Sequence, residues 1–150
     1  MPKYLETTVD KFTFRVATDR LYTSQGLWVL GQTNNRVHVG LTDYLQQHSG
    51  DVAFASVKPA GFKLATGDQL AEIETIKALV EILSPVSGMV VEVNPALDLT
   101  PEVINQDCYD KGWLVVIETA NWETDQTKLL EASSYFEVMQ SQLQEELKKR

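Results

Sequence analysis

The chain has 150 residues, 43% hydrophobic and 23% charged, enough apolar material for one compact domain with its own core and little room for a second. A formal net charge of −8 excludes the basic stripe of a nucleic-acid binder and suits a monomer that meets partners through an acidic face. No apolar run is long enough to span a bilayer, MPKYLETTVDKF lacks the apolar stretch of a secretory leader, and a single cysteine, Cys108, excludes an internal disulfide; the expected location is the cytoplasm.

From about Thr13 to Glu118 the chain reads as short strands punctuated by Gly, Pro, Asn and Asp. FTFRV (12–16), LWVLG (27–31) and RVHVG (36–40) each fit a strand, and Thr33-Asn34-Asn35 supplies the turn between the last two. TDYLQQHSG offers one short helix with Thr42 as N-cap and Gly50 as its stop, after which DVAFASV returns to strand alternation. LAEIET and ALVEIL are two further strands, so Ile76-Lys77 falls where the chain must reverse. SPVSG then turns into MVVEV, which Asn94-Pro95 breaks. From near Thr124, Leu129, Ala132, Phe136, Met139, Leu143 and Leu147 recur at three- and four-residue steps, the mark of an amphipathic helix. Lys148, Lys149 and Arg150 in its last turn favour a helix C-terminus. This helix reads as a cover over one side of the β domain or, alternatively, as a docking surface. The layout is one domain over residues 1–150, with a core at about 12–120 and the helix at about 124–148.

TGDQLAEIET (66–75) and DKGWLVVIET (110–119) form a weak internal repeat, each running from a glycine turn through a strand into Ile-Glu-Thr. Ala71 and Ile73 share a face with Thr75, as Val115 and Ile117 do with Thr119, because side chains alternate across a strand. Two such halves suggest a flattened sandwich with pseudo-twofold symmetry.

The turn at Lys77 contains neither Gly nor Pro, although Asn-Gly or Asp-Gly would build a tight hairpin more easily. Something besides turn formation fixes these residues. A lysine on a rigid tip carries its amine away from the backbone, and acylation removes the charge. A cofactor attached there becomes an arm that visits several enzyme sites at high effective concentration. Elsewhere, His38 alternates with Val37 and Val39 and is expected to face solvent, while His48 sits at a helix end where a cationic ring is welcome. Trp28, Trp113 and Trp122 read as core or edge packing. The sequence shows neither a metal-ligand cluster nor a nucleophile–base pair, so no catalytic centre is expected.

ETIKALVEILSPVSGMVVEVNPAL resembles the lipoylation segment of the glycine cleavage system H protein family. VHVGLTDYLQQHSGDVAF and TPEVINQDCYDKGWLVVIE resemble the segments on either side, the latter with the P-E-x-x-N box and the G-W pair, so that residues 20 to 120 follow the family in order. The resemblance implies a mainly β fold with helices, a barrel-sandwich hybrid of the lipoyl-domain kind with one short internal helix and the C-terminal helix. It implies that Lys77 carries lipoate as an amide, that Glu74 is read by the lipoylating enzyme, and that Glu81 contacts the arm's cleft. It also implies a carrier that is a substrate of enzymes and not an enzyme itself. Biotin carriers share the fold and usually flank their lysine with methionines; here the neighbours are Ile76 and Ala78.

The chain departs from the family before its tryptophan. Thr23-Ser24-Gln25-Gly26-Leu27-Trp28 keeps the tryptophan but has Gly26 and Leu27 where the family has His and Glu, the glutamate being a group that helps hold the amine-loaded arm. A buried ammonium without its anionic partner is costly. The expectation therefore leans to a lipoate-binding protein of sulfur-compound oxidation, serving a heterodisulfide-reductase-like complex, whose thiol-bound sulfur cargo needs no glutamate. Cys108, in place of the family's proline, offers a thiol for exchange or simply a small packed side chain. The alternative is an H protein carrying the aminomethyl group between glycine decarboxylase, aminomethyltransferase and dihydrolipoyl dehydrogenase. Either carrier needs a lipoylating partner: a lipoate ligase, or an octanoyl transferase with lipoyl synthase. A further alternative is an unmodified interaction module that binds through the C-terminal helix.

Overall fold

The computed structural model describes residues 3–149; Met1, Pro2 and Arg150, the last expected in the closing helical turn, lie outside the described residues. The chain opens with a hairpin of β1 (Tyr4–Val9) and β2 (Phe12–Ala17), turned by Asp10 and Lys11 with positive φ at both positions, 50° and 76°. That backbone matches the twist of a two-residue hairpin. The strand expected at 12–16 thus has a partner that the sequence hid, because Lys11 stands where a glycine would normally announce the turn. β3 (Leu21–Tyr22), β4 (Leu27–Gly31) and β5 (Arg36–Leu41) follow, with Asn34 and Asn35 supplying the left-handed turn before β5. α1 (Asp43–Ser49) begins at Thr42, whose hydroxyl accepts the Leu45 N–H, and ends at Gly50 with φ 93°. Next come β6 (Val52–Val57), β7 (Lys63–Leu64), β8 (Gln69–Thr75), β9 (Leu79–Leu83) and β10 (Gly88–Val93). The one-turn helices α2 (Ala96–Leu99) and α3 (Val103–Gln106) lead to β11 (Val115–Thr119), and the chain closes with α4 (Trp122–Asp125), a 3₁₀ turn (Gln126–Lys128) and α5 (Ala132–Lys148).

Besides the first hairpin there is a six-stranded sheet in the order β3-β4-β5-β11-β10-β7 and a three-stranded sheet in the order β6-β8-β9, with every pairing antiparallel. Their facing sides make one core, in which Val39, Ile73, Ile82, Leu114 and Ile117 are buried. The repeated Ile-Glu-Thr strands, β8 and β11, fall in opposite sheets, and Ala71, Ile73, Val115 and Ile117 all point inward. The architecture is mainly β with short helices, the barrel-sandwich class that the resemblance implies.

β4 serves two cores because its side chains alternate. Leu27 and Val29 enter the core between the sheets, whereas Trp28 enters a second core with Tyr22, Tyr135 and Met139. Gly40 lies opposite Trp28 across the ladder, and a Cβ there would come within 2.5 Å of the indole. The bare strand is what lets the ring lie flat. The second core is closed by α5, which starts at Ala132 and not near Thr124. Leu129 is extended after the 3₁₀ turn, and Leu130 bridges to Tyr22, so Leu129 packs against the first core and leaves the helical stripe. Ala132, Tyr135, Met139 and Leu143 are the buried face; the ring of Tyr135 stacks on Tyr22 with centroids 4.8 Å apart. The apolar stripe is thereby used inside the protein, as a cover, and only Leu147 of the named residues is exposed, at 38%. Glu146 fastens the helix to α1, accepting from the Tyr44 hydroxyl (2.6 Å) and lying 3.1 Å from His48 Nδ1.

His38 departs from its expected solvent position. It is on the outer face of β5, as alternation requires, but Trp113 covers it edge-on at 4.9 Å, and its buried Nδ1 has no hydrogen-bond partner. Burial holds this imidazole below the usual histidine range. No helix among the described residues is long and apolar enough to cross a membrane.

Candidate functional site

Lys77 is at the tip of the β8–β9 hairpin, and the turn explains how it dispenses with glycine. Thr75, only 6% exposed, accepts hydrogen bonds at its hydroxyl from the backbone N–H groups of Lys77 (3.3 Å) and Ala78 (3.0 Å), and the same hydroxyl donates to Ala78 O (3.2 Å). The side chain does the work of a backbone turn, as short hydroxyl residues can. Ile76 and Lys77 need no positive φ, and both are exposed. The tip is also tied to the turn before β6 by Ile76 N–H donating to Asp51 O at 3.3 Å.

The lysine stem lies against Gly50 at the end of α1. A Cβ on Gly50 would sit 3.1 Å from Lys77 Cε, and the Gly50 backbone (φ 93°, ψ −171°) is one that L side chains rarely adopt. Asn105, the last residue of the P-E-x-x-N box, holds this seat in place. Its amide donates to Gly50 O and to Gln46 Oε1, both at 3.0 Å, while its Oδ1 accepts Val52 N–H at 2.9 Å. One side chain from α3 thus satisfies both backbone groups that flank the turn into β6. The sequence named the box but gave no sign of this contact, which joins residues 55 apart in the chain.

Glu74 is exposed one residue before the turn threonine, and the register sets it between Phe54 of β6 and Leu79 of β9. Phe54 and Leu79 are themselves 67% and 63% exposed, so an acidic group stands in an apolar surround three residues before the lysine. Glu81 is exposed on β9, next to a hollow of about 560 Å³ that Lys77, His48 and Leu45 also line. The same Leu45, Val80 and Glu81 form one wall of an adjoining cleft of about 320 Å³, which runs on to Leu27, Ile82 and Leu129. The structure therefore brings Glu81 and Leu27 to one cleft, although they are far apart in sequence. It also brings Lys128 there, a residue that sequence reasoning passed over because it lies outside every motif. The SPVSG turn is pinned beside this cleft by the buried Asp125 carboxylate, which accepts Ser87 N–H at 2.8 Å and the Ser87 hydroxyl at 2.9 Å.

Cys108 is not part of this site. It is buried in the second core, its carbonyl accepts the Trp28 indole N–H at 2.9 Å, and burial pushes its thiol well above the usual range. The packing role holds and thiol exchange does not. Among the described residues no three His, Cys, Asp or Glu side chains gather as a metal centre would require.

Apolar walls next to an exposed amine suit an acyl chain on that amine. The sequence profile described as "Glycine cleavage H-protein" matches residues 20–142. A glycine cleavage system H protein of Thermus thermophilus is 38% identical over 127 residues, covering 85% of this chain and 98% of its own length. A probable glycine cleavage system H protein of Thermococcus kodakarensis is 36% identical over 128 residues, covering 85% of this chain and 95% of its own. The crystal structure of a glycine cleavage system H protein from Mycobacterium marinum superposes with a TM-score of 0.69 at 30% identity, covering 79% of this chain and 94% of that one. The chain belongs to the glycine cleavage H-protein family.

Proposed function

We propose that the protein is a lipoate-carrying shuttle that presents lipoyl-Lys77 as a swinging arm between enzyme active sites and catalyses nothing itself. The observation that carries this reading is the geometry of the tip: an exposed lysine on a turn closed by Thr75, its stem seated on Gly50, beside a hollow that opens into an apolar-walled cleft. A lipoyl amide there supplies a dithiol–disulfide pair at the end of a flexible arm. The chain's own part is to hold the amine in one direction for the lipoylating enzyme, a ligase or an octanoyl transferase with lipoyl synthase, and to give the arm an apolar surface on which to rest. In this reading Glu74 is a recognition point for the lipoylating enzyme, supported by its exposure beside Phe54 and Leu79. Glu81 is a contact for the arm where hollow and cleft meet. A cytoplasmic location belongs to the same reading.

For the client, the names of the relatives support the glycine cleavage enzymes: glycine decarboxylase, aminomethyltransferase and dihydrolipoyl dehydrogenase. One observation favours the second reading, service to sulfur-compound oxidation with a heterodisulfide-reductase-like complex: the cleft wall holds Leu27, which offers no acceptor for an amine. The carrier itself is tested by the intact mass of protein made in cells supplied with lipoate, with peptide mapping of any added mass. A lipoyl group on Lys77 that Lys77→Arg abolishes while leaving the fold intact is the expected result. An unmodified lysine after exposure to lipoylating enzymes of several bacterial types would overturn the reading.

A further inference from the structure

The first hairpin, β1 and β2, lies before the residues that the family profile matches, 20–142. It is a sheet of two strands, and its two edges differ. The β2 edge is covered by side chains. Arg15 N–H donates to Asp43 Oδ2 at 2.9 Å, Arg15 O accepts the Tyr109 hydroxyl at 2.6 Å, and Thr13 O accepts Gln47 Nε2 at 2.9 Å. In an antiparallel pair, facing residues alternately exchange hydrogen bonds and turn their backbone groups outward. Thr13 and Arg15 turn theirs outward, so Thr8 and Glu6, which face them, turn theirs to the opposite edge. There, no strand and no side chain among the described residues meets those N–H and C=O groups, and both residues are exposed. An open edge is a template for another strand, and proteins usually blunt it with proline, lysine or an inward-pointing charge. β1, YLETTV, has neither proline nor lysine, and its one charge, Glu6, is neutralised across the hairpin by Arg15 at 2.8 Å.

We propose that the free edge of β1 pairs with β1 of a second copy of this chain, antiparallel about a twofold axis through Thr7, so that two hairpins become one four-stranded sheet. The occupant follows from the strand's own sequence. A ladder forms only where outward-turned residues face one another, which puts the axis through a residue and not between two. An axis through Glu6 would set like charges opposite each other, and one through Leu5 or Thr8 would leave much of each strand running past its mate. Through Thr7, Leu5 faces Val9 of the second copy, and Glu6 faces its Thr8, that pair exchanging backbone hydrogen bonds. Apolar side chains then meet apolar ones, and no like charges are opposed. The net charge of −8 resists self-association at long range. The hairpin itself, however, sets Lys3, Lys11 and Arg15 against Glu6 and Asp10, so the pairing edge is close to neutral. The inference is independent of what Lys77 carries.

The test uses the full chain. Sedimentation velocity should show concentration-dependent dimers, half formed only at about 0.1 mM or above, because an edge this short covers less than a standard interface. As concentration rises, the amides of Glu6 and Thr8 should exchange hydrogen more slowly, while those of Leu5 and Thr7, already bonded to β2, stay as they were. Thr8→Pro removes one outward donor per copy and no bond of the hairpin's own ladder, and it should weaken dimerisation about tenfold or more. Thr7→Cys sets two thiols across the axis in a non-hydrogen-bonded pair with Cα atoms about 4.5 Å apart, within bridging distance. Oxidised glutathione, which takes up the two electrons, should close that disulfide while the buried Cys108 stays reduced. Glu6→Cys should close more slowly, since it faces Thr8 of the second copy. A parent chain that stays monomeric up to about 1 mM would overturn self-pairing and leave the edge to a strand of another protein. Dimers that Thr8→Pro leaves intact would overturn it by placing the interface elsewhere, and a disulfide that forms as fast in Glu6→Cys would overturn the register.

Discussion

The same tripeptide, Ile-Glu-Thr, ends β8 and β11, yet the two threonines finish in different circumstances. Thr75 is buried, and its hydroxyl closes a turn by accepting two backbone N–H groups, after which the chain runs straight back as β9. Thr119 is half-buried; its hydroxyl donates to Asn35 O at 2.7 Å and stitches β11 to the β4–β5 turn, after which the chain leaves the sheet for α4. Identical residues on equivalent inward faces thus build a displayed lysine in one copy and an internal seam in the other. The difference comes from the residues after each threonine and from the strand beside it.

The largest effect is expected at the seat of the displayed copy. Gly50→Ala forces a side chain into a backbone region that is nearly glycine's own, costing about 1–3 kcal/mol, and its methyl, 3.1 Å from Lys77 Cε, makes the lysine stem shift. Urea unfolding should show the loss, and lipoyl loading of Lys77 should slow as well; unchanged loading would mean that the seat does not orient the lysine. Thr75→Val comes next, because it removes two hydrogen bonds that close the tip, at a cost of about 0.5–1.5 kcal/mol each. Hydrogen exchange at Ala78 should accelerate, and loading should fall with it. Thr119→Val should cost about 0.5–1.5 kcal/mol, one partly exposed hydrogen bond, with loading untouched. If the two valine variants slow loading equally, the contrast between the copies is lost. The smallest effect belongs to the β11 side and depends on pH. His38, opposite Val116 of β11, is held below its ordinary value of 6.5 by burial, so the unfolded chain takes up the proton first. Stability should therefore begin to fall as pH drops through about 6.5 and continue falling until the folded imidazole itself is protonated. His38→Gln should flatten that part of the stability curve measured between neutral and mildly acidic pH.

Much of this site was legible because it is local. Strand alternation on both sides of Ile76-Lys77 marked a reversal, Thr42 and Gly50 bracketed α1, and the missing glycine at the tip marked residues fixed by something besides turn formation. What remained hidden depends on contacts between distant residues. β1 escaped notice because Asp10-Lys11 adopts a glycine-like backbone without glycine. The start of α5 was misjudged because Leu129 obeys helical spacing but is drawn into the sheet core, with Leu130 pairing to Tyr22. His38 alternates like a solvent residue, and only the tertiary position of Trp113 covers it.

By itself, the sequence determined most of the longer strands, the reversal at Lys77, the class of fold and the family, since these rest on periodicity, turn chemistry and ordered motifs that act within a few residues. Only the tertiary structure decided that Asn105 braces the lysine's seat, that Cys108 is sealed in a core, and that Leu27, Glu81 and Lys128 share one cleft. The physical reason is that burial and charge are properties of surroundings. A leucine, a glutamate and a lysine from three separate segments acquire a joint chemistry only when packing sets them around the same space.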